Sequence, residues 1–259
     1  DNVAPSRDIS VNLQGFKPRY QLQDEVQFAD YTTRELQHQA TAEQVLEVLR
    51  AGNRRFTTGT RLNRDLGRQV GATAAAQSPL AAVLSCIDSR VPTELVFDVG
   101  VGDIFSVRVA GNVIGTKSLG SLEYAVGVSG VKLVIVLGHT RCGAVTSSVR
   151  LIATGQDARS ATGCQHLQAI VDEIAPSATG ISSHELDRLT ADELESLVDD
   201  VAASNALRTT EQILSRSDVI RGAVDEGRVK VVSALYDVKT GGIKFLDPAS
   251  VDSQLLFAQ

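Results

Sequence analysis

Two stretches of this chain decide its fold: Leu80–Arg90, which reads LAAVLSCIDSR, and Val131–Gly143, which reads VKLVIVLGHTRCG. Each begins with a short and almost continuous apolar run, which is typical of a strand buried on both faces of a sheet. Each run is followed at once by polar residues that include cysteine or histidine. Because sites in open α/β sheets lie at the carboxyl ends of strands, we expect these side chains to lie there.

Predicted strands and helices alternate through the middle of the chain. The apolar patterns predict strands at 80–85, 104–109 and 131–138, and helices at 94–99, 118–128 and 143–153. Near the end, Val229–Tyr236 and Ile243–Leu246 read as two strands joined by a turn with two glycines. The order predicts an α/β fold, in which helices flank a mostly parallel central β-sheet.

A helical arm is predicted before the sheet. Residues 31–52 read as helix, with Thr41 and Gln44 at the spacing of a capping box and Gly52 as the end. A second, alanine-rich helix is predicted over 64–77.

After the second motif the chain is largely helical. Residues 164–216 follow a polar loop at 155–163 and are interrupted by a break at 176–183. They include an acidic stretch, which we interpret as a solvated helix face: Asp192, Glu193, Glu195, Asp199 and Asp200. We assign 30–259 to one domain and 1–29 to an N-terminal extension.

Composition excludes several classes of function. The 259 residues are 43% hydrophobic and 22% charged, which is typical of a globular protein. The net charge of −6 offers no electrostatic footprint for nucleic acid. No apolar run approaches the roughly 20 residues that span a bilayer. Three cysteines make no disulfide framework, so we expect a reducing, cytoplasmic location.

Three residues of the two motifs form a candidate metal site. Cys86, His139 and Cys142 offer two thiolates and an imidazole, a soft set suited to Zn²⁺. Three protein ligands leave a fourth tetrahedral position open, as in catalytic zinc sites. The plainer alternative is that the cysteines are small buried apolar residues.

The motif pair also resembles a known zinc signature. Cys-x-Asp-x-Arg at 86–90 and His-x-x-Cys-Gly at 139–143 are similar to the signature of the β-class carbonic anhydrases. The resemblance extends over further landmarks in order: Gln77–Pro79, Gly102–Phe105, Arg108–Asn112 and Leu122–Val126. It implies the β-carbonic anhydrase fold, a single Zn²⁺ ion per chain, and reversible hydration of carbon dioxide to bicarbonate by zinc-bound hydroxide.

The resemblance also implies roles for the catalytic residues. Asp88 would either pair with Arg90, which leaves the fourth metal position open, or bind the metal and close it. Gln77 and the Gly143 N–H would bind substrate oxygens.

It further implies an apolar pocket for carbon dioxide. Phe105, Ala110 and Tyr124 would line this pocket at a dimer interface, with some walls from the partner, so the resemblance implies a homodimer or a higher even oligomer.

Two other functions are compatible with these residues. One is hydrolysis of a related linear molecule such as carbon disulfide, and the other is a zinc module that binds or senses bicarbonate without turnover. No proton shuttle is identified, and His166 and His184 are candidates by residue type only.

The N-terminal extension is relevant to whether the domain is part of a larger protein. Ile9–Leu13 alternates like a short strand, and the chain starts with aspartate and contains no methionine. The segment is similar to the end of the regulatory domain that precedes a carbonic anhydrase domain in some bacterial sulfate-permease-type anion transporters. We therefore expect a fragment tethered to such a transporter, on the cytoplasmic side of the inner membrane. The alternative is a free cytoplasmic enzyme with an N-terminal arm.

Overall fold

The computed structural model describes residues 20–23 and 26–247. The strands of this part of the chain are β1 (Tyr20–Gln23), β2 (Val26–Ala29), β3 (Ala81–Ser85), β4 (Ile104–Arg108), β5 (Leu133–His139), β6 (Lys230–Tyr236) and β7 (Ile243–Phe245). The helices up to the second motif are α1 (Arg34–Gln39), α2 (Ala42–Thr58), α3 (Leu66–Thr73), α4 (Thr93–Val96), α5 (Thr116–Gly127) and α6 (Gly143–Thr154). Those after it are α7 (Ala158–Thr162), α8 (Gln168–Ile174), α9 (Ser183–Leu186), α10 (Ala191–Arg216) and α11 (Asp218–Asp225), and short 3₁₀ turns lie at Ala110–Asn112 and Ala175–Ser177.

The central sheet has five strands in the order β4-β3-β5-β6-β7. The first four are parallel, and β7 runs antiparallel to β6 after the predicted glycine turn. The predicted α/β fold with a mostly parallel sheet is therefore confirmed. A separate hairpin of β1 and β2, which the sequence pattern did not predict, precedes it.

Alternate side chains of β5 enter two separate cores. Leu133, Ile135 and Leu137 lie in one apolar cluster, to which α2 contributes. Val134 and Val136 lie in a second cluster, together with residues of α5, α10 and α11. Helices thus cover both faces of the sheet, which explains why β3 and β5 are apolar until their last residues.

The helix predicted over 31–52 is two helices, because Thr41 caps a new one: α1 ends at Gln39, and α2 begins at Ala42 and continues past the predicted end. Thr41 and Gln44 form the capping box: the Gln44 N–H donates to Thr41 Oγ1 at 3.2 Å, and the Thr41 N–H donates to Gln44 Oε1 at 2.9 Å. Gly52 lies inside the helix, and a Cβ there would stand 1.8 Å from the Phe97 carbonyl oxygen. The helix ends at Gly59, whose φ of 70° is left-handed. The predicted end at Gly52 is wrong because that glycine permits close packing.

We expect Gly52→Ala to destabilise the protein. Overpacking of this kind lowers the free energy of unfolding by about 1–3 kcal/mol. Gly71→Ala in α3 is the matched control, because a Cβ there meets nothing within 4 Å. That variant should gain about 0.5–1 kcal/mol from the better helix former. Urea unfolding of both variants measures the difference, and equal effects would contradict this role for Gly52.

Two other predicted boundaries are corrected. The helix predicted over 64–77 spans only Leu66–Thr73. The predicted polar loop at 155–163 contains α7, because Asp157 caps its first turn and Gly163 ends it in a left-handed conformation. Local capping therefore makes a short helix from a stretch without apolar periodicity.

The predicted strand Ile9–Leu13 lies outside the described residues. The transporter tether that depends on it stays a prediction, and so does the cytoplasmic location. In the part of the chain that the structure describes, no helix has the length and apolar character needed to cross a membrane.

Candidate metal centre

The two motifs meet at one edge of the sheet. Strands β3 and β5 are parallel neighbours, and Ser85 pairs with Leu137 in their register. Cys86 directly follows β3, and His139 is the last residue of β5. Cys142 is the N-cap residue of α6. Both motifs therefore lie at the carboxyl ends of their strands.

The three predicted ligand atoms lie close together and are buried. All pairs of these atoms are within 4.8 Å, and Cys86 Sγ lies 3.9 Å from Cys142 Sγ. A tetrahedron with zinc–sulfur distances of about 2.3 Å has edges of about 3.8 Å. The two sulfur atoms are therefore spaced as one zinc ion requires, and the His139 ring lies close enough to complete the set.

The histidine is oriented with a free nitrogen toward this cluster. Nδ1 of His139 is 2.9 Å from the Thr140 carbonyl oxygen, so it carries the proton and donates it. Nε2 is buried and has no hydrogen-bond partner among the described residues. Because a neutral imidazole nitrogen without a partner is costly to bury, this atom fits a metal ligand.

The paired thiols also fit a divalent cation. Hydrogen bonding to Cys142 lowers the pKa of Cys86 to about 4 despite its burial. The same interaction with Cys86, together with burial, raises the pKa of Cys142. One thiolate thus disfavours a second nearby, and a bound cation would remove that repulsion.

Asp88 is held beside the cluster by Arg90. Arg90 Nε donates to Asp88 Oδ1 at 2.9 Å, and Arg90 Nη2 donates to Oδ2 at 2.8 Å. These hydrogen bonds lower the pKa of Asp88 to about 2, so its carboxyl is ionised at neutral pH. Asp88 Oδ2 also lies 3.9 Å from His139 Nε2. The carboxylate is therefore paired with arginine while it borders the ligand atoms.

A second arginine fixes the loop that carries Cys86 and Asp88. Arg108 lies at the end of β4, in register with Ser85. Its Nε donates to the Cys86 carbonyl oxygen at 3.0 Å, and its Nη2 donates to that of Asp88 at 2.6 Å. Arg108 is a site residue that sequence analysis missed, since it named Arg108 only as a landmark of the resemblance. Its place at the carboxyl end of a predicted strand is the signal that could have found it.

The acidic stretch of α10 is not entirely a solvated face. Asp199 accepts a hydrogen bond from the Arg141 N–H, and Glu195 pairs with the Arg141 guanidinium. Glu193 instead accepts hydrogen bonds at the start of the helix. The earlier interpretation is wrong for Glu195 and Asp199, because the fold places them against the second motif.

Two predicted substrate-binding residues lie at the same edge as the cluster. Gly143 begins α6, and a Cβ there would meet nothing within 4 Å. Ala110 is half-buried in the 3₁₀ turn that follows β4.

Three others lie toward the opposite end of the sheet. Gln77 is exposed and precedes β3, whose first and last residues are about 13 Å apart at a rise of about 3.3 Å per residue. Phe105 pairs with Ala82, near the start of β3. Tyr124 is 55% exposed, and its ring meets that of Phe105 edge to face at 6.4 Å between centroids. One protomer therefore does not bring Gln77, Phe105 and Tyr124 to the cluster.

The predicted proton-shuttle candidates are surface residues. His166 and His184 are both exposed, in the helical region after α6.

Comparison with known proteins gives one consistent result. The family model described as carbonic anhydrase matches residues 81–243. Carbonic anhydrase 2 of Mycobacterium tuberculosis is 34% identical over 197 residues, which cover 75% of this chain and 88% of the relative. A carbonic anhydrase of Mycolicibacterium smegmatis is 35% identical over 199 residues, or 76% and 90% of the two chains. The crystal structure of a β-carbonic anhydrase of Aspergillus fumigatus matches with a TM-score of 0.59 and 25% identity, and covers 73% of this chain and 85% of that one.

Proposed function

The chain belongs to the β-class carbonic anhydrases, and we propose that Cys86, His139 and Cys142 hold the zinc ion with which it hydrates carbon dioxide reversibly. The reaction joins carbon dioxide and water and yields bicarbonate and a proton. This assignment rests on the buried Nε2 of His139, which has no hydrogen-bond partner in the described part of the chain and lies beside the two cysteine thiols.

The donor set determines the charge at the site. Two thiolates and a neutral imidazole balance the charge of a divalent cation. When bound, zinc lowers the pKa of a coordinated water toward neutrality and so supplies the nucleophile. Thiolates donate more charge to the metal than imidazoles do. We therefore expect the pKa of the coordinated water to be higher here than in a site of three histidines, and activity to be favoured at higher pH.

Asp88 orients the attacking water. Its carboxylate is ionised and can accept a hydrogen bond from one O–H of that water. Arg90 holds this carboxylate in place by donating a hydrogen bond to each of its two oxygens. Such a hydrogen bond would orient the water for attack on the carbon atom of the substrate.

The start of α6 stabilises the charge that develops on the substrate. The Gly143 N–H lies in the first turn of this 12-residue helix, beside Cys142. Helix N-termini favour negative charge, and the open space at Gly143 allows close approach of a substrate oxygen.

A second protomer would complete the substrate pocket. Strand β4 is an edge strand of the sheet. Exposed apolar side chains precede and follow it in the sequence: Ile87, Leu95, Val101, Tyr124 and Val128. A twofold axis beside β4 would place the amino ends of the strands of one sheet against the carboxyl ends of the strands in the partner's sheet. Gln77, Phe105 and Tyr124 would then face the partner's metal cluster. We therefore propose a homodimer or a higher even oligomer with shared active sites.

Mixing two inactive variants tests this arrangement. A Cys86→Ser chain keeps its Gln77, and a Gln77→Ala chain keeps its metal ligands. Their mixed dimer has one intact site, so random pairing should restore about a quarter of the wild-type activity. The matched control mixes Cys86→Ser with Cys142→Ser, whose defects lie in the same ligand set, and should restore none. Equal activity of both mixtures after subunit exchange would contradict shared sites.

A further inference from the structure

Arg141, between the ligands His139 and Cys142, has an unusual backbone. Its φ is 54°, in the left-handed region that residues other than glycine rarely adopt. A residue in this region needs surrounding contacts to keep it there. The contacts come from α10, which is distant in sequence.

Two carboxylates of α10 hold Arg141. Asp199 Oδ1 accepts a hydrogen bond from the Arg141 N–H at 2.6 Å. Glu195 Oε1 accepts a hydrogen bond from Arg141 Nε at 2.7 Å, and its Oε2 forms an ion pair with Arg141 Nη2 at 2.7 Å. Lys239 Nζ lies 2.9 Å from the same carboxylate. Hydrogen bonds from Arg141, and then from Lys239, lower the pKa of Glu195, so it is ionised at neutral pH. Backbone and side chain of Arg141 are thus both fixed.

The held residue in turn fixes Arg90. The Arg141 carbonyl oxygen accepts a hydrogen bond from Arg90 Nη2 at 3.1 Å. The same nitrogen donates to Asp88 Oδ2 at 2.8 Å. A change in the backbone of Arg141 would move this carbonyl and remove one of the supports of Arg90.

The position of Asp88 is sensitive to this support. Asp88 Oδ2 is only 3.9 Å from His139 Nε2, so a small side-chain rotation would bring a carboxylate oxygen among the ligand atoms. Carboxylates are good zinc ligands, and one bound there would occupy the position needed by water. Arg90 competes with that rotation because it holds both carboxylate oxygens.

Helix α10, which holds Arg141, is itself fixed by packing and hydrogen bonds. The apolar residues next to Glu195 and Asp199 in this helix are buried: Val198, Val201 and Ala202. Farther along, buried Asn205 donates to the Gly111 carbonyl oxygen at 2.8 Å, and the Gly111 N–H donates to Cys86 Sγ at 3.3 Å. The helix therefore supports both sides of the cluster.

We propose that Glu195 and Asp199 are positioning residues for the hydration reaction: through Arg141 and Arg90 they keep the Asp88 carboxylate out of the ligand set. The inference rests on the proposed function, because it gives Asp88 its place beside the metal. Both residues act through Arg141, and neither belongs to the ligand set.

The test compares a double alanine variant with its conservative counterpart. Asp199→Ala with Glu195→Ala removes both acceptors, whereas Asp199→Asn with Glu195→Gln keeps an oxygen acceptor at each position. Glu211→Ala, at an exposed position of the same helix, is the control. Each protein is studied with zinc by kcat/KM for carbon dioxide across pH. Each is also studied with Co²⁺ by visible absorption across pH, and thermal unfolding shows whether it is folded.

We expect the double alanine variant to lose about tenfold in kcat/KM near neutral pH, in the range found for groups that orient metal-site residues. Its rate profile and its Co²⁺ spectrum should both shift toward higher pH by about one unit, the equivalent of that tenfold change. The conservative pair should recover most of the loss, and Glu211→Ala should match wild type.

Two results separate the possible failures. A folded double alanine variant with the wild-type pH midpoint in the Co²⁺ spectrum would overturn the positioning role. A zinc-loaded wild-type protein without hydration activity would refute the proposed function instead. The Co²⁺ comparison would still decide whether α10 controls Asp88.

Discussion

The Cys86→Ser protein is expected to bind zinc weakly and to hydrate carbon dioxide no faster than the reaction proceeds without enzyme. The variant removes one of three ligand atoms that lie within 4.8 Å of each other, and a serine hydroxyl is a poor zinc ligand at neutral pH. Because enzymes commonly accelerate reactions by about 10⁶-fold or more, the loss should exceed the range that the assay can follow. Cys142→Ser should behave in the same way. Zinc analysis after dialysis and stopped-flow hydration measure both effects.

The third cysteine provides a matched control. Cys164 is exposed, in the segment between α7 and α8, and apart from the cluster. Cys164→Ser should keep the zinc content and activity of wild type. Full zinc binding by Cys86→Ser, or an equal loss in Cys164→Ser, would show that the metal is held elsewhere.

Arg90→Ala is expected to lower kcat by about 10–100-fold while zinc stays bound. The substitution removes the two-point grip on Asp88, whose carboxylate then turns freely beside the ligand atoms. Arg90→Lys keeps the charge but not the planar fork, so its activity should fall between those of Arg90→Ala and wild type. Steady-state hydration kinetics at several pH values, with zinc content on each sample, measure the effect.

The control for Arg90→Ala is an exposed arginine outside the motifs. Arg188→Ala, next to α9, should leave kcat and its pH profile unchanged. If Arg90→Ala kept more than half of the activity with the wild-type profile, the pair would only stabilise the fold.

Much of the site could be predicted because the motifs follow directly from strand ends. The apolar runs before Cys86 and before His139 indicate two buried strands, and parallel strands bring their carboxyl ends to one edge of a sheet. Local patterns also predicted the capping box at Thr41. Such inferences need only the chain near each residue.

The rest depends on contacts between distant segments. Gly52 has the signature of a helix end, yet it is needed for the close approach of Phe97. Glu195 and Asp199 have the pattern of a solvated face, and only packing against β5 and α6 shows that they hold Arg141.

The substrate pocket was the least predictable part for a related reason. Strand register places Phe105 and the cluster toward opposite ends of one sheet. The sequence of a single chain does not show which residues of a second chain would complete the pocket.

The most direct test of the central claim is stopped-flow hydration of carbon dioxide by the wild-type protein from about pH 6.5 to about pH 9, with zinc measured on the same sample. We predict one zinc ion per chain and a rate that increases both with zinc content and with pH. Protein that carries one zinc per chain but does not hydrate carbon dioxide at any of these pH values would contradict the claim.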